Sequence, residues 1–63
     1  MIDYTPFWRT LKEKKISQYY LIQQGISTRT LDSLRKNRNI TVLTLEMLCR
    51  LLDCTPNDII SFK

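Results

Sequence analysis

The sequence has no histidine, one glycine, two prolines and two cysteines, and each shortage removes a class of function. Without histidine, Cys49 and Cys54 cannot complete a tetrahedral zinc site within one chain, and their spacing is not that of a redox pair. A bridge between them encloses only four residues in or just after a helix and constrains little, so a reducing compartment and a role as small hydrophobes are expected. One glycine cannot build a phosphate-cradling loop, and no pair of carboxylates is placed for acid–base work, so an enzyme has no visible machinery. No apolar run approaches the ~20 residues that a membrane-spanning helix needs, and the start does not resemble a signal peptide. The expectation is a cytoplasmic protein without a membrane partner, cofactor or small-molecule ligand. Repeats, low-complexity tracts and linkers are also missing, which leaves residues 1–63 as one expected domain with one core.

What is present is an ordinary globular composition, 43% hydrophobic and 25% charged, with a net charge of +4. The distribution of charge says more than the total. Arg9, Lys12, Lys14 and Lys15 form one basic window, and Arg29, Arg35, Lys36 and Arg38 a second, so eight of the ten basic residues fall in two short stretches. Elsewhere Asp3, Glu46, Asp53 and Asp58 outnumber Arg50 and Lys63. Two basic patches on an otherwise acidic chain can orient it on a polyanion.

Caps divide the chain into short helices. Thr5-Pro6 has the form of an N-cap followed by a first-turn proline, and Phe7 and Leu11 share a face, predicting a helix over 6–14 with Trp8 at its rim. Ser17 predicts a second helix over 18–24, with Leu21 and Ile22 inward and Gly25 in the left-handed conformation that ends it. Ser27 caps a third over 28–36, with Leu31 and Leu34 inward. Asn37 and Asn39 mark a turn, and Thr41 caps a fourth helix lined by Leu45, Leu48, Cys49 and Leu52. Thr55-Pro56 with Asp58 resembles a capping box opening a fifth helix over about 56–61 that buries Ile59 or Ile60. No stretch alternates like a strand, although residues 40–45 are β-branched enough to leave a strand open there, so the predicted class is all-α.

Helices two and three, joined by a tight turn of about three residues, match a helix-turn-helix unit. In such a unit the first helix lies across the phosphate backbone and the second enters the major groove. With Leu31 and Leu34 inward, Thr28, Arg29, Asp32, Ser33 and Lys36 lie on or near the outer faces of the third helix. Arg29, at its start, can pair bidentately with guanine O6 and N7. Thr28 and Ser33 can exchange hydrogen bonds with bases or phosphates, and Thr30 can offer its methyl group or contact phosphate. Gln18, at the start of the second helix, is placed for phosphate, as are Lys36 and Arg38 beyond the reading helix. Each of these is equally readable, taken singly, as a solvated surface residue.

The ordered series Ile16-Ser17-Gln18-Tyr19-Tyr20-Leu21-Ile22, Gly25-Ile26-Ser27, Thr30-Leu31, Leu34-Arg35 and Asn37 resembles the Cro and phage-repressor type of helix-turn-helix domain. Thr44-Leu45, Leu48-Cys49, Leu52-Asp53-Cys54 and Asp58-Ile59-Ile60 extend the resemblance over nearly the whole chain. It implies a compact five-helix bundle, dimeric binding to a double-stranded DNA operator and regulation of transcription. By position it carries phosphate contact to Gln18 and base contact to Thr28, Arg29 and Ser33. Two departures stand out: the turn after the second helix is one residue shorter than in many members, and the usual Glu-Asn-Gly reads Arg35-Lys36-Asn37.

Tyr4, Phe7 and Trp8 cluster near the start and Tyr19 and Tyr20 are adjacent. Interleaved with basic residues they suit stacking on single-stranded bases, but helical spacing puts Phe7 in the core. Tyr19 or Tyr20 reaches a phosphate or packs. The rival to a DNA reader is a protein-interaction module of the same fold, an antitoxin or an antagonist of another regulator; an acidic or apolar third-helix face would mark it, and Arg29, Lys36 and Arg38 argue against it. The segment from Ile59 to Lys63, with Phe62 lacking an obvious core position, is the candidate dimer surface.

Overall fold

The computed structural model describes Met1–Lys63. In chain order it contains β1 (Ile2–Asp3), α1 (Thr5–Lys14), α2 (Gln18–Gln23), α3 (Thr28–Arg35), α4 (Val42–Leu52), a 3-10 turn at Pro56–Asp58, and β2 (Ser61–Phe62). The fold is mostly helical with four helices, so the expected fifth is corrected to the 3-10 turn. Beyond that turn the chain extends: β2 runs antiparallel to β1, with Ile2 opposite Phe62 and Asp3 opposite Ser61. The two Ile residues give too little helical face to hold another turn, and the extended backbone finds a partner at the far end of the sequence. Asp58 does stiffen the bend as expected, its carboxylate accepting from the Thr55 backbone N–H and hydroxyl, both at 3.2 Å.

Three helix starts follow from side-chain caps. Ser17, Ser27 and Thr41 are extended, and each oxygen accepts the amide hydrogen of the residue three along, from Tyr20, Thr30 and Thr44 respectively. The first helix departs from this pattern. Thr5 lies inside α1, not before it: Tyr4 takes the cap position without a side-chain bond, and the Thr5 amide and hydroxyl both donate to Asp3 Oδ1, the hydroxyl at 2.9 Å.

All four helices end alike. A residue with positive φ follows each, Lys15 (57°), Gly25 (105°), Asn37 (55°) and Asp53 (51°), and the next amide reaches back five residues. These bonds run from Ile16 to the Leu11 carbonyl, Ile26 to Leu21, Arg38 to Ser33 and Cys54 to Cys49, at 2.9–3.0 Å. They satisfy carbonyls left open at the helix ends. The sequence marks this device most clearly at Gly25, where glycine adopts such a φ without the steric cost a side chain brings. It also shortens the helices: α2 stops at Gln23 and α3 at Arg35, each one residue before its expected end.

The core comprises Tyr4, Phe7, Leu11, Leu21, Ile26, Leu31, Leu34, Leu48, Leu52 and Ile59. Leu45 and Cys49 pack half-buried at its edge, as does Trp8, whose ring meets Phe7 edge-on at 4.8 Å. Ile22 is the exception to the expected inward set, at 41% exposed. A six-residue helix presents one narrow face; Leu21 fills it, and the next inward position falls past Gly25, at Ile26. Of the two candidates near the end, Ile59 is buried and Ile60 is half-buried. Burial raises the pKa of Cys49, and carries that of Cys54 up to about 11, so both thiols stay protonated at neutral pH.

Candidate nucleic-acid interface

The unit that could meet DNA begins at Ser17 and ends at Arg38. Its two helices are separated by Gln24, Gly25, Ile26 and Ser27, one residue more than the turn read from the sequence, because Gln24 caps α2 instead of continuing it. Ile26 is 3% exposed and anchors the turn to the core, while Ser27 starts α3 in the next step. The hinge between the helices is therefore held from both sides, by an apolar plug and by a cap.

On α3 the sides divide cleanly. Leu31 and Leu34 are buried, and Arg29, Asp32, Ser33 and Lys36, at spacings of three and four, form one stripe facing away from them. Arg29 and Lys36 are exposed and Ser33 is half-buried. Lys36 is the cap residue just past the helix, and its Nζ lies 3.2 Å from Asp32 Oδ2. Such a surface pair contributes at most about 0.5 kcal/mol, little enough for a phosphate to displace. Thr28 is exposed at the helix start, whereas the hydroxyl of Thr30 lies 3.0 Å from that of Ser27 and belongs to the cap.

Gln18, the first residue of α2, is exposed, and its Oε1 accepts a hydrogen bond from Arg35 Nη2. Arg38 has a fixed backbone and a free side chain: its amide donates to Ser33, its carbonyl accepts from the Tyr4 hydroxyl, and its guanidinium is exposed. Asn37 Oδ1 accepts from the Tyr4 amide at 3.0 Å, so Asn37 serves the fold. Tyr19 is 68% exposed on α2, and Tyr20 is less so. Gln18, Thr28, Arg29, Lys36 and Arg38 are thus each exposed, on or next to α2 and α3.

Two residues of this region have partners that the sequence does not show. Arg35 reads as a charge of the basic window and a departure from the family pattern, and its partner lies on the preceding helix, 17 residues away. Tyr4 reads from the sequence as one of an aromatic cluster, yet it holds the backbone just past α3. No local spacing encodes either partnership. The remaining concavities are open grooves, one of 290 Å³ between Lys15, Ile16, Ser17, Tyr20 and Leu51, the other of 230 Å³ between Val42, Leu45, Glu46, Cys49 and Pro56.

Comparison with known proteins agrees with this geometry. The model of the Cro/C1-type helix-turn-helix DNA-binding domain matches residues 7–63. The chain belongs to that family. A search of curated proteins gives no match. Among solved structures, that of the transcriptional regulator VanUg is similar, with a TM-score of 0.86 and 30% identity over 95% of this chain and 81% of the other. Cro/C1-type domains are DNA-binding and typically non-enzymatic, and this member places the helix-turn-helix of the family at α2 and α3. No helix of this Cro/C1-type chain is long and apolar enough to cross a membrane.

Proposed function

We propose that this chain, acting as one unit over residues 1–63, is a sequence-specific transcriptional regulator that reads the major groove of double-stranded DNA with α3. The observation that carries the reading is the polar stripe of α3, with Arg29 and Lys36 exposed opposite the buried Leu31 and Leu34. Arg29 pairs with guanine O6 and N7, Thr28 and Ser33 meet neighbouring base edges or sugar-phosphate, and Thr30, whose hydroxyl is engaged with Ser27, offers its methyl group. Gln18, Lys36 and Arg38 grip phosphates and set the register. Lys36 leaves Asp32 when it does so, which keeps its charge from acting on any polyanion at full strength.

One helix-turn-helix covers a single half-site, so the active species is proposed to be a symmetric homodimer. The exposed Phe62, on the outer strand of the terminal ribbon, supports a surface at Ile59–Lys63 for that pairing. Selecting bound duplexes from a random pool tests the function, and sedimentation with and without the selected duplex tests the assembly. Enrichment of one motif with twofold symmetry is the expected result. Failure to retain any duplex at low salt would turn the reading toward a protein-interaction module, and a monomer both free and bound would remove the dimer.

A further inference from the structure

Arg35 is the last residue of α3 and stands off the outward stripe, yet it makes the one side-chain hydrogen bond between α2 and α3, from Nη2 to Gln18 Oε1. Its charge is also unpaired: the three ion pairs of the chain use Lys36, Arg50 and Lys63. A carboxamide has an acceptor oxygen on one side and a two-donor nitrogen on the other, while a guanidinium only donates. Pairing with Arg35 therefore selects one of the two flips of the Gln18 amide. The oxygen turns toward α3 and Nε2 turns away from it.

That polarity is the one a phosphate needs, because phosphate oxygens only accept. The opposite flip sets NH2 against guanidinium donors and an oxygen against a phosphate, unfavourable on both sides. We infer that Arg35 is a positioning residue for DNA binding: it orients the Gln18 carboxamide so that Nε2 donates to the DNA backbone. The proposal rests on the DNA-binding reading above and deepens it.

The test is a double-mutant cycle with Gln18→Ala, Arg35→Met and the pair, measured by fluorescence anisotropy on the selected duplex. Each single change is expected to weaken binding roughly tenfold, the scale of a lost hydrogen bond to a charged group. In the Gln18→Ala background, Arg35→Met should cost less than about threefold, since coupled residues are not additive. Arg35→Lys should restore most of the affinity. Gln18→Glu, which still pairs with Arg35 but repels phosphate, should bind more weakly than Gln18→Ala. In the free protein, NMR relaxation of the Gln18 side-chain amide should show ordering that Arg35→Met abolishes while the thermal melt is unchanged.

Equal cost of Arg35→Met in both backgrounds would make Arg35 an independent phosphate contact and overturn the proposal. So would a Gln18 amide equally mobile with and without Arg35. If the parent binds no duplex, the DNA-binding reading falls and the proposal with it; if the parent binds and the cycle shows no coupling, the proposal alone falls.

Discussion

The Tyr4 hydroxyl donates to the Arg38 carbonyl at 2.5 Å across 34 residues of sequence, tying the start of the chain to the turn beyond α3. The ring is buried, and burial raises the pKa of the phenol above its ordinary 10.0. Tyr4→Phe keeps the ring and leaves a carbonyl without its donor, which is expected to cost about 1 to 3 kcal/mol in chemical denaturation. A phenol whose folded pKa is raised supports the fold fully below its unfolded value and loses that support as pH rises through the folded value. The parent should therefore lose stability above pH 10 more steeply than Tyr4→Phe; parallel alkaline profiles would count against this role of the hydroxyl.

The centres of the inward faces of α3 and α4 are Leu31 and Leu48, both fully buried. Replacing either with Ala removes apolar contacts and leaves a cavity, a loss of roughly 2 to 5 kcal/mol that is large for so small a fold. Both variants should melt far below the parent or be unfolded at room temperature, as circular dichroism will show.

On the proposed DNA surface, the residues are expected to divide by what they do to salt dependence. Lys36→Ala or Arg38→Ala should weaken binding to selected and scrambled duplexes alike and lower the salt slope by about one charge. Arg29→Ala should cost roughly 1 to 3 kcal/mol on the selected duplex and relax discrimination at one base pair. Asp32→Ala frees Lys36 from its ion pair and should tighten binding to both duplexes, a change of sign that separates electrostatic release from loss of structure. Anisotropy at two salt concentrations resolves all four.

Lys15 and Asp53 hold positive φ without being glycine. Left-handed backbone costs a side-chain-bearing residue roughly 1 to 2 kcal/mol, so Lys15→Gly and Asp53→Gly should each raise the melting temperature despite the looser unfolded chain. Unchanged or lowered melts would show that the left-handed backbone costs these two residues no more than the added freedom of a glycine in the unfolded chain.

Much of the fold is legible in the sequence because its signals are local. Ser17, Ser27 and Thr41 announce their helices, and Leu31, Leu34, Leu48 and Leu52 repeat at helical spacing. Gly25 marks the turn of the helix-turn-helix unit, and the polar side of α3 follows from which residues point inward. What is hidden is either ambiguous or distant. Lys15 ends a helix in a conformation that its residue type does not advertise, Asn37 and Asp53 advertise theirs only weakly, Tyr4 takes the cap position expected of Thr5, and Ile22 is displaced by Ile26 across the turn. β1 and β2 are invisible for a different reason: two residues show no alternation, and each needs the other, about sixty positions away, to become a strand. The Gln18–Arg35 bond shares that difficulty on a smaller scale.

That ribbon also bears on the order in which the molecule assembles. The α2–α3 unit forms from neighbours in sequence, whereas pairing Ile2–Asp3 with Ser61–Phe62 closes nearly the whole chain into a loop, an entropic demand met only after the core has gathered. The same pairing should be the first to open. Amides of β1 and β2 are expected to exchange with solvent through small local openings, and those of Leu31 and Leu34 only through global unfolding. Tyr4 and Ile59, buried just inside the two strands, set where the fraying stops. Native-state hydrogen exchange should find two protection classes with their boundary at these residues.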